Sequence, residues 1–207
     1  MNIIIFGSTG SIGQHLVKQS LEAGHTVTAF TRSPNKLNLN HIQLNIIQGD
    51  VLNQEDVEKA IKNQDAVICV LGAGRKGEVR SRGTQHIIHA MKSNGVTRLI
   101  CQSSLGVGDS RKNLNFFWKY IMFGLLLRPA YHDHELQEAH VKASNLDWVI
   151  VRPGAFTDGE RTGDYRHGFD PIDQSTVLKI SRADVADFLL KQLFDNRYLH
   201  QSPGLSY

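Results

Sequence analysis

A chain of 207 residues fits one ordinary domain with a single substantial core. Hydrophobic residues make up 41% and charged residues 21%, and the five prolines are scattered, which excludes bulk disorder. The formal charge of +3 is too small to argue for a nucleic-acid partner, and no zinc-finger, RNP-like or basic-region pattern is present.

The two cysteines, Cys69 and Cys101, form no Cys-x-x-Cys pair, so no metal site is expected. Residues 1–7 lack the charged and apolar regions of a signal peptide, and a reducing, cytoplasmic setting is expected. The most apolar stretch, 116–127, is about half the roughly 20 residues needed to cross a bilayer, and Lys119 interrupts it. No membrane span is expected. The stretch reads as a buried or oligomer-facing helix, with a lid as the alternative.

In chain order, residues 2–6 (NIIIF) form a short β-branched run of the kind buried on both faces of a sheet. Residues 11–23 follow with Ile12, Leu16, Val17 and Leu21 at helical spacing, stopped by Gly24. Further strands are expected at 26–30, 43–48, 65–71, 97–102 and 147–151. Helices are expected at 54–62, 81–94, 130–144 and 181–194. The last opens with Ser181 and has Asp184 three residues on, a helix-capping pattern. Strands alternating with helices imply right-handed βαβ units and a parallel sheet. Two stretches, 105–129 and 155–180, do not fit the alternation. They follow the fifth and sixth strands, at the sheet end where ligands bind, and are the expected builders of a substrate pocket. The polar tail, 196–207, would either pack back on the domain or fray.

The first strand runs into Gly7-Ser8-Thr9-Gly10-Ser11-Ile12-Gly13, which opens the first helix. Gly7 would permit the tight turn, Gly10 would let the backbone approach a pyrophosphate, and Gly13 would let the helix pack close to the sheet. The helix N-terminus then offers N–H groups to the anion. The fold class expected is therefore α/β: a single-domain Rossmann fold over 1–207, a doubly wound parallel sheet with helices on both faces. After the second strand a carboxylate would mark an NAD site, yet no Asp or Glu lies between Glu22 and Asp50. Arg32 and Lys36 stand there instead, as a 2′-phosphate would require, so NADP(H) is expected over NAD(H). Asp50 is placed to accept from the adenine amino group, with Val51 beside it. Leu71, Gly72 and Ala73 are placed against the cofactor's ribose and pyrophosphate.

These residues resemble the short-chain dehydrogenase/reductase superfamily, in its atypical, NmrA-like NAD(P)H-binding branch. GSTGSIG, GDV, LGAG, VIVRPG ending at Gly154 and ISRADVADF at 180–188 carry the resemblance over essentially the whole chain. Within the branch the chain is most similar to the biliverdin-IXβ reductase/flavin reductase group. The similarity lies in its size, the basic residues after the second strand, Cys101-Gln102-Ser103, and a His-bearing helix before the sixth strand. The resemblance adds Pro153 and Gly154 to the expected cofactor contacts and implies a monomer; the apolar 116–127 stretch argues for a weak homodimer. The superfamily's usual acid is a Tyr with a Lys four residues on. None of Tyr120, Tyr131, Tyr165 and Tyr198 has that Lys, and Tyr207 is the last residue. Relatives with Lys-x-x-x-Glu before the sixth strand match His134 and Glu138 here. A further His found in some of the biliverdin/flavin group is Ala155 in this chain.

Hydride transfer from a nicotinamide to a conjugated acceptor needs stacking at near-attack distance more than it needs an acid. The expected function is an NADPH-dependent reductase whose partner is a small conjugated molecule, FMN, riboflavin or biliverdin, with flavin as substrate and not as bound cofactor. Ser103, with Ser104, is placed to hydrogen-bond the carboxamide or the acceptor. His134 would orient the cofactor ribose or relay a proton. Leu105 and Phe156 would form the platform. The run His132-Asp133-His134-Glu135 is read as a solvated helix start, because adjacent helical residues point apart. The alternatives are a non-catalytic NADP(H)-binding sensor or assembly factor and, more weakly, a sugar-nucleotide epimerase.

Overall fold

The computed structural model describes residues 1–74, 77–173 and 175–207. In chain order the elements are β1 (Asn2–Phe6), α1 (Gly13–Glu22), β2 (Thr26–Thr31), β3 (Leu44–Gln48), α2 (Gln54–Ile61), β4 (Ala66–Cys69), α3 (Val79–Asn94) and β5 (Arg98–Gln102). Then come α4 (Arg128–Lys142), β6 (Asp147–Pro153), β7 (Ala155–Thr157), β8 (Arg166–His167), β9 (Lys179–Ser181), α5 (Arg182–Lys191) and β10 (Gly204–Ser206).

The main sheet has the order β3-β2-β1-β4-β5-β6-β10-β8, parallel except for the last pair. The strand order reverses between β1 and β4, which opens a crevice at the carboxyl ends of both. Alternation along β1 divides the core in two. Ile3 and Ile5 pack with Leu16 and Val17 of α1 and Val185, Phe188 and Leu189 of α5. Ile4 and Phe6 pack with Val57 and Ile61 of α2, Ile87 and Met91 of α3 and Val141 of α4. This is a single-domain Rossmann architecture, with helices covering both faces of the sheet.

Several boundaries differ from the sequence expectation. Helix α1 begins at Gly13 and not at residue 11, because the chain is still turning there: Gly10 N–H donates to the Gly7 carbonyl at 2.9 Å. The strand expected over 65–71 ends at Cys69, and Val70 and Leu71 become part of the crevice wall. Helix α4 starts at Arg128, since Pro129 is tolerated in a first turn. The tail packs back: β10 lies parallel to β6, and Leu205 is fully buried.

The two irregular stretches behave differently. Within 155–180, β7 and β9 make a small parallel pair, Ala155 to Lys179 through Thr157 to Ser181. Within 105–129, the buried or oligomer-facing helix expected at 116–127 is a π-helical segment, Phe117–Leu126, with no buried residue. It follows β5 and packs along α4, with Phe123 also against Gly106, and its other side is exposed. Phe116 is 71% and Leu125 73% exposed.

Candidate functional site

The crevice is a cleft of about 390 Å³ floored by the turn after β1. Gly7 adopts φ +90°, and a Cβ there would stand 2.4 Å from the Val70 carbonyl oxygen. At Gly13 a Cβ would stand 2.1 Å from the Gly7 carbonyl oxygen, so only glycine lets α1 start this close to the strand. The first N–H groups of α1 have no intrahelical partners and suit an anion. Gly7, Thr9, Gly10, Ser11 and Ile12 line the cleft. Ser8 and Gly13 do not. The Ser8 hydroxyl is fully buried and donates to the Phe30 carbonyl at 2.9 Å, tying the turn to β2. Thr9 Oγ1 meets Thr31 Oγ1 at 3.1 Å, a second tie between the same segments.

Arg32 and Lys36 line the other end of the cleft, both exposed, and neither pairs with a described acid. Val51 and Gly49 also line it, whereas Asp50 does not. The Asp50 carboxylate accepts from Leu52 N–H at 3.0 Å, and its own N–H donates to Asp56 at 3.0 Å. These bonds hold the turn into α2. Leu71 and Gly72 line the cleft and Ala73 does not.

Ser103 sits on the floor where β5 ends, 1% exposed, and its hydroxyl has no hydrogen-bond partner. A buried, orphaned hydroxyl of this kind costs about 1–3 kcal/mol unless something bonds it. A carboxamide lying over it would do so. His134 closes the same end. Burial, and then the charge of Arg80, push its pKa down to about 4, so the ring is neutral near pH 7. Its Nδ1 lies 3.2 Å from Gln137 Oε1, and the Gln137 amide donates to Thr84 Oγ1 at 3.1 Å. With that amide orientation Nδ1 carries the hydrogen and Nε2 offers a lone pair. Such a ring can accept from a ribose hydroxyl. Near pH 7 the neutral ring accepts at Nε2 and does not donate from it as imidazolium.

The neighbours of His134 explain the charged run at the start of α4. Asp133 accepts from the backbone N–H groups of Arg80 and Ser81, at 3.1 and 3.0 Å, and from the Ser81 hydroxyl at 2.6 Å, and so caps α3. Glu138 binds buried Arg152 through both carboxylate oxygens, at 2.8 and 2.7 Å. Both acids are spent on structure. Arg80, which sequence reading did not single out, is buried on Asp133 yet lines the cleft. Phe30, Thr31, Val70, Val79 and Gln102 were also missed as lining residues.

Beyond Ser104 and His134 a second cavity of about 280 Å³ opens. Its walls are Leu105, Leu114, Trp118, Phe123, Leu127, Tyr131, Pro153, Gly154 and Phe156, with few polar atoms. Arg80, Ser104, His134 and Phe156 line both spaces. Pro153 and Gly154 therefore face this second cavity and not the cleft. Leu105 and Phe156 stand where a platform was expected. Among the described residues no tyrosine lines the cleft, and Tyr131 alone of the tyrosines lines the cavity, its hydroxyl kept protonated by burial.

Comparison with known proteins agrees with this geometry. A family model described as NAD(P)H-binding matches residues 7–196, and the chain belongs to that family. It is 28% identical over 206 residues to UPF0659 protein YMR090W of Saccharomyces cerevisiae, covering 93% of this chain and 87% of that one. It is 25% identical over 165 residues to the photosystem II assembly factor Ycf39 of a Synechocystis strain, covering 77% of this chain and 46% of that one. In fold it is similar to ChuY, an anaerobillin reductase of Escherichia coli O157:H7, with a TM-score of 0.82 and 23% identity, covering 100% of this chain and 97% of that one.

Proposed function

We propose that this protein is an NADPH-dependent reductase that passes hydride to a flat conjugated acceptor, a flavin such as FMN or riboflavin, or biliverdin. The observation that carries the reading is the apolar cavity opening from the Ser103/His134 end of the cleft, with aromatic walls and Arg80, Ser104, His134 and Phe156 shared between the two spaces. Bound NADPH supplies the hydride. The turn at Gly7 to Ile12 and the N-terminus of α1 receive its pyrophosphate. Arg32 and Lys36, free of acidic partners, receive its 2′-phosphate. Ser103 satisfies its orphaned hydroxyl on the carboxamide, and Nε2 of His134 accepts from the ribose. Phe156 and Trp118 hold the acceptor flat and exclude water. The proton that follows the hydride comes from solvent, because among the described residues no carboxylic acid or tyrosine lines the cleft. A cavity of this size lies at the small end of ligand pockets.

The test is NADPH absorbance decay with FMN, riboflavin, a quinone and biliverdin, with NADH in parallel. Turnover with one acceptor, faster with NADPH, is the expected result. Losing Arg32 removes charge-assisted hydrogen bonds of about 1.5–3 kcal/mol, so Arg32→Ala is expected to weaken NADPH binding about 10- to 100-fold and leave NADH unchanged. An Arg32→Ala variant with its NADPH preference intact would remove the selector. Tight NADPH binding with no turnover on any acceptor would instead favour a non-catalytic NADP(H)-binding assembly factor. The absence of a cleft tyrosine and the similarity to Ycf39 support that second reading.

A further inference from the structure

The uncovered side of Phe117–Leu126 is not explained by the cleft or the cavity. A π-helix closes its hydrogen bonds five residues on, as Leu127 N–H to the Met122 carbonyl does here at 2.7 Å. Side chains four and five apart therefore share a side. Trp118, Phe123 and Leu127 form one such stripe and line the apolar cavity. Phe116, Phe117, Tyr120, Ile121, Leu125 and Leu126 form the other, and all six are exposed. The two stripes are joined by aromatic contact: Phe117 to Trp118 at 6.2 Å, Trp118 to Phe123 at 6.0 Å and Phe123 to Tyr131 at 5.4 Å between ring centres.

Charge surrounds this apolar stripe and has one sign. Between residues 110 and 131 stand Arg111, Lys112, Lys119 and Arg128, with no Asp or Glu. None of the four makes an ion pair with a described residue; Arg111 lies over the Tyr131 ring, and Lys119 reaches the Lys112 carbonyl. The nearest acids are Asp109, which pairs with Arg152, and Glu135, which lies 3.7 Å from the His132 ring and shares a surface hollow with Arg111 and Arg128. Six exposed apolar side chains rimmed by four unpaired cations match a surface that is apolar beneath and anionic at its rim. A second copy of this chain does not match, because a two-fold contact would set these cations against one another. The segment, at ten residues, is too short to span a bilayer.

We infer that Phe117–Leu126, with Phe116, is a membrane-docking segment that lies in the interface of an anionic phospholipid bilayer, its exposed stripe among the acyl chains and Arg111, Lys112, Lys119 and Arg128 at the headgroups. The docking stands independently of the reductase reading. One consequence rests on that reading: the apolar cavity, walled by the same segment, receives an uncharged lipophilic acceptor of the quinone class directly from the bilayer.

Flotation of the full-length protein with vesicles tests this. Vesicles of phosphatidylcholine mixed with phosphatidylglycerol are expected to carry the protein, and less so at high salt, while phosphatidylcholine alone carries little. Each basic residue near such a surface changes partitioning about five-fold, so Lys112→Gln with Lys119→Gln is expected to weaken binding about 25-fold. Phe116→Ser with Leu125→Ser should abolish it. These side chains are exposed or rim positions, so unchanged thermal melting will show that the variants fold. The inference is overturned if wild-type protein does not float with anionic vesicles, or if the lysine variants float equally well. It is also overturned if sedimentation shows a dimer that the Phe116/Leu125 variant dissociates. Turnover of FMN, riboflavin, biliverdin or a water-soluble quinone without flotation would refute docking and keep the reductase; flotation without turnover on any of these acceptors would do the reverse.

Discussion

Glu138→Gln removes one charge from a chain of four, Asp109–Arg152–Glu138–Lys142, whose inner pair is buried and whose ends, Asp109 and Lys142, are exposed. Arg152 is 1% exposed and Glu138 3%. Their guanidinium and carboxylate meet through two bonds of 2.8 and 2.7 Å, and Lys142 adds a third to Glu138 at 2.9 Å. Burial alone would raise the Glu138 pKa, yet Arg152 and then Lys142 hold it below the usual carboxylate value. At an effective dielectric near 20, unit charges about 4 Å apart attract by about 4 kcal/mol. Neutralising Glu138 forfeits that and leaves Arg152 with only Asp109, so a loss of about 3–4 kcal/mol is expected. For a domain of this size it lowers Tm by roughly 6–16 °C. Circular-dichroism melting at pH 7 measures it. Replacing the pair outright, Glu138→Leu with Arg152→Met, removes both desolvation penalties and is expected to restore most of the loss. None of the four residues lines the cleft, so the NADPH Kd below the transition should stay within about two-fold. The sign with pH is fixed: a depressed carboxylate contributes stability above its unfolded pKa, lost as pH falls through the lower folded value, so Glu138→Gln flattens the acid limb below about pH 4. A Glu138→Gln variant within 1 kcal/mol of wild type, or a double variant no better than the single, would refute this account.

Two further outcomes follow from the same geometry. His134 takes up its proton near pH 6.5 when unfolded but only near 4 when folded, so the fold loses stability as pH falls across that window, by at most about 3 kcal/mol. Urea melts at pH 7 and pH 4.5 should show His134→Asn losing less on acidification than wild type; parallel losses would show the ring titrates normally. Tyr207 donates its hydroxyl to Asp184 at 2.7 Å and accepts from Ser181 N–H at 3.2 Å, so Tyr207→Phe is expected to cost about 2 kcal/mol by the same melts. A cost below 0.5 kcal/mol would mean that the tail is held by Leu205 and its backbone pairing, without the Tyr207 hydroxyl.

What was legible in the sequence is what local chemistry decides. The continuous apolar run in residues 2–6 predicted a strand with two buried faces, and Ile3/Ile5 and Ile4/Phe6 do part to opposite layers. The spacing of Gly7, Gly10 and Gly13 predicted a close turn, and the contacts a Cβ would make at Gly7 and Gly13 are the reason. Ser181 caps α5 through Asp184 N–H at 3.0 Å, as its position suggested. The failures are of another kind. Arg80 is buried at a helix start because Asp133, 53 residues away, neutralises it while capping that helix, and no local pattern announces such a pair. Gly204-Leu205-Ser206 is too short to show a period. It becomes a strand because β6 offers an open edge and Asp184 a hydroxyl acceptor, both set elsewhere in the chain.

The buried reading of 116–127 fails for a subtler reason. Apolar on every side at α-helical spacing, it implies burial on every side. Closed as a π-helix, the same residues sort into an inner stripe at 118, 123 and 127 and an outer one at 116–117, 120–121 and 125–126. Hydrophobicity alone could not tell a core from an uncovered surface. The acid-free charge at Arg111, Lys112, Lys119 and Arg128 could have, because a buried helix would have had to pair those cations, and this one leaves them open to an anionic partner.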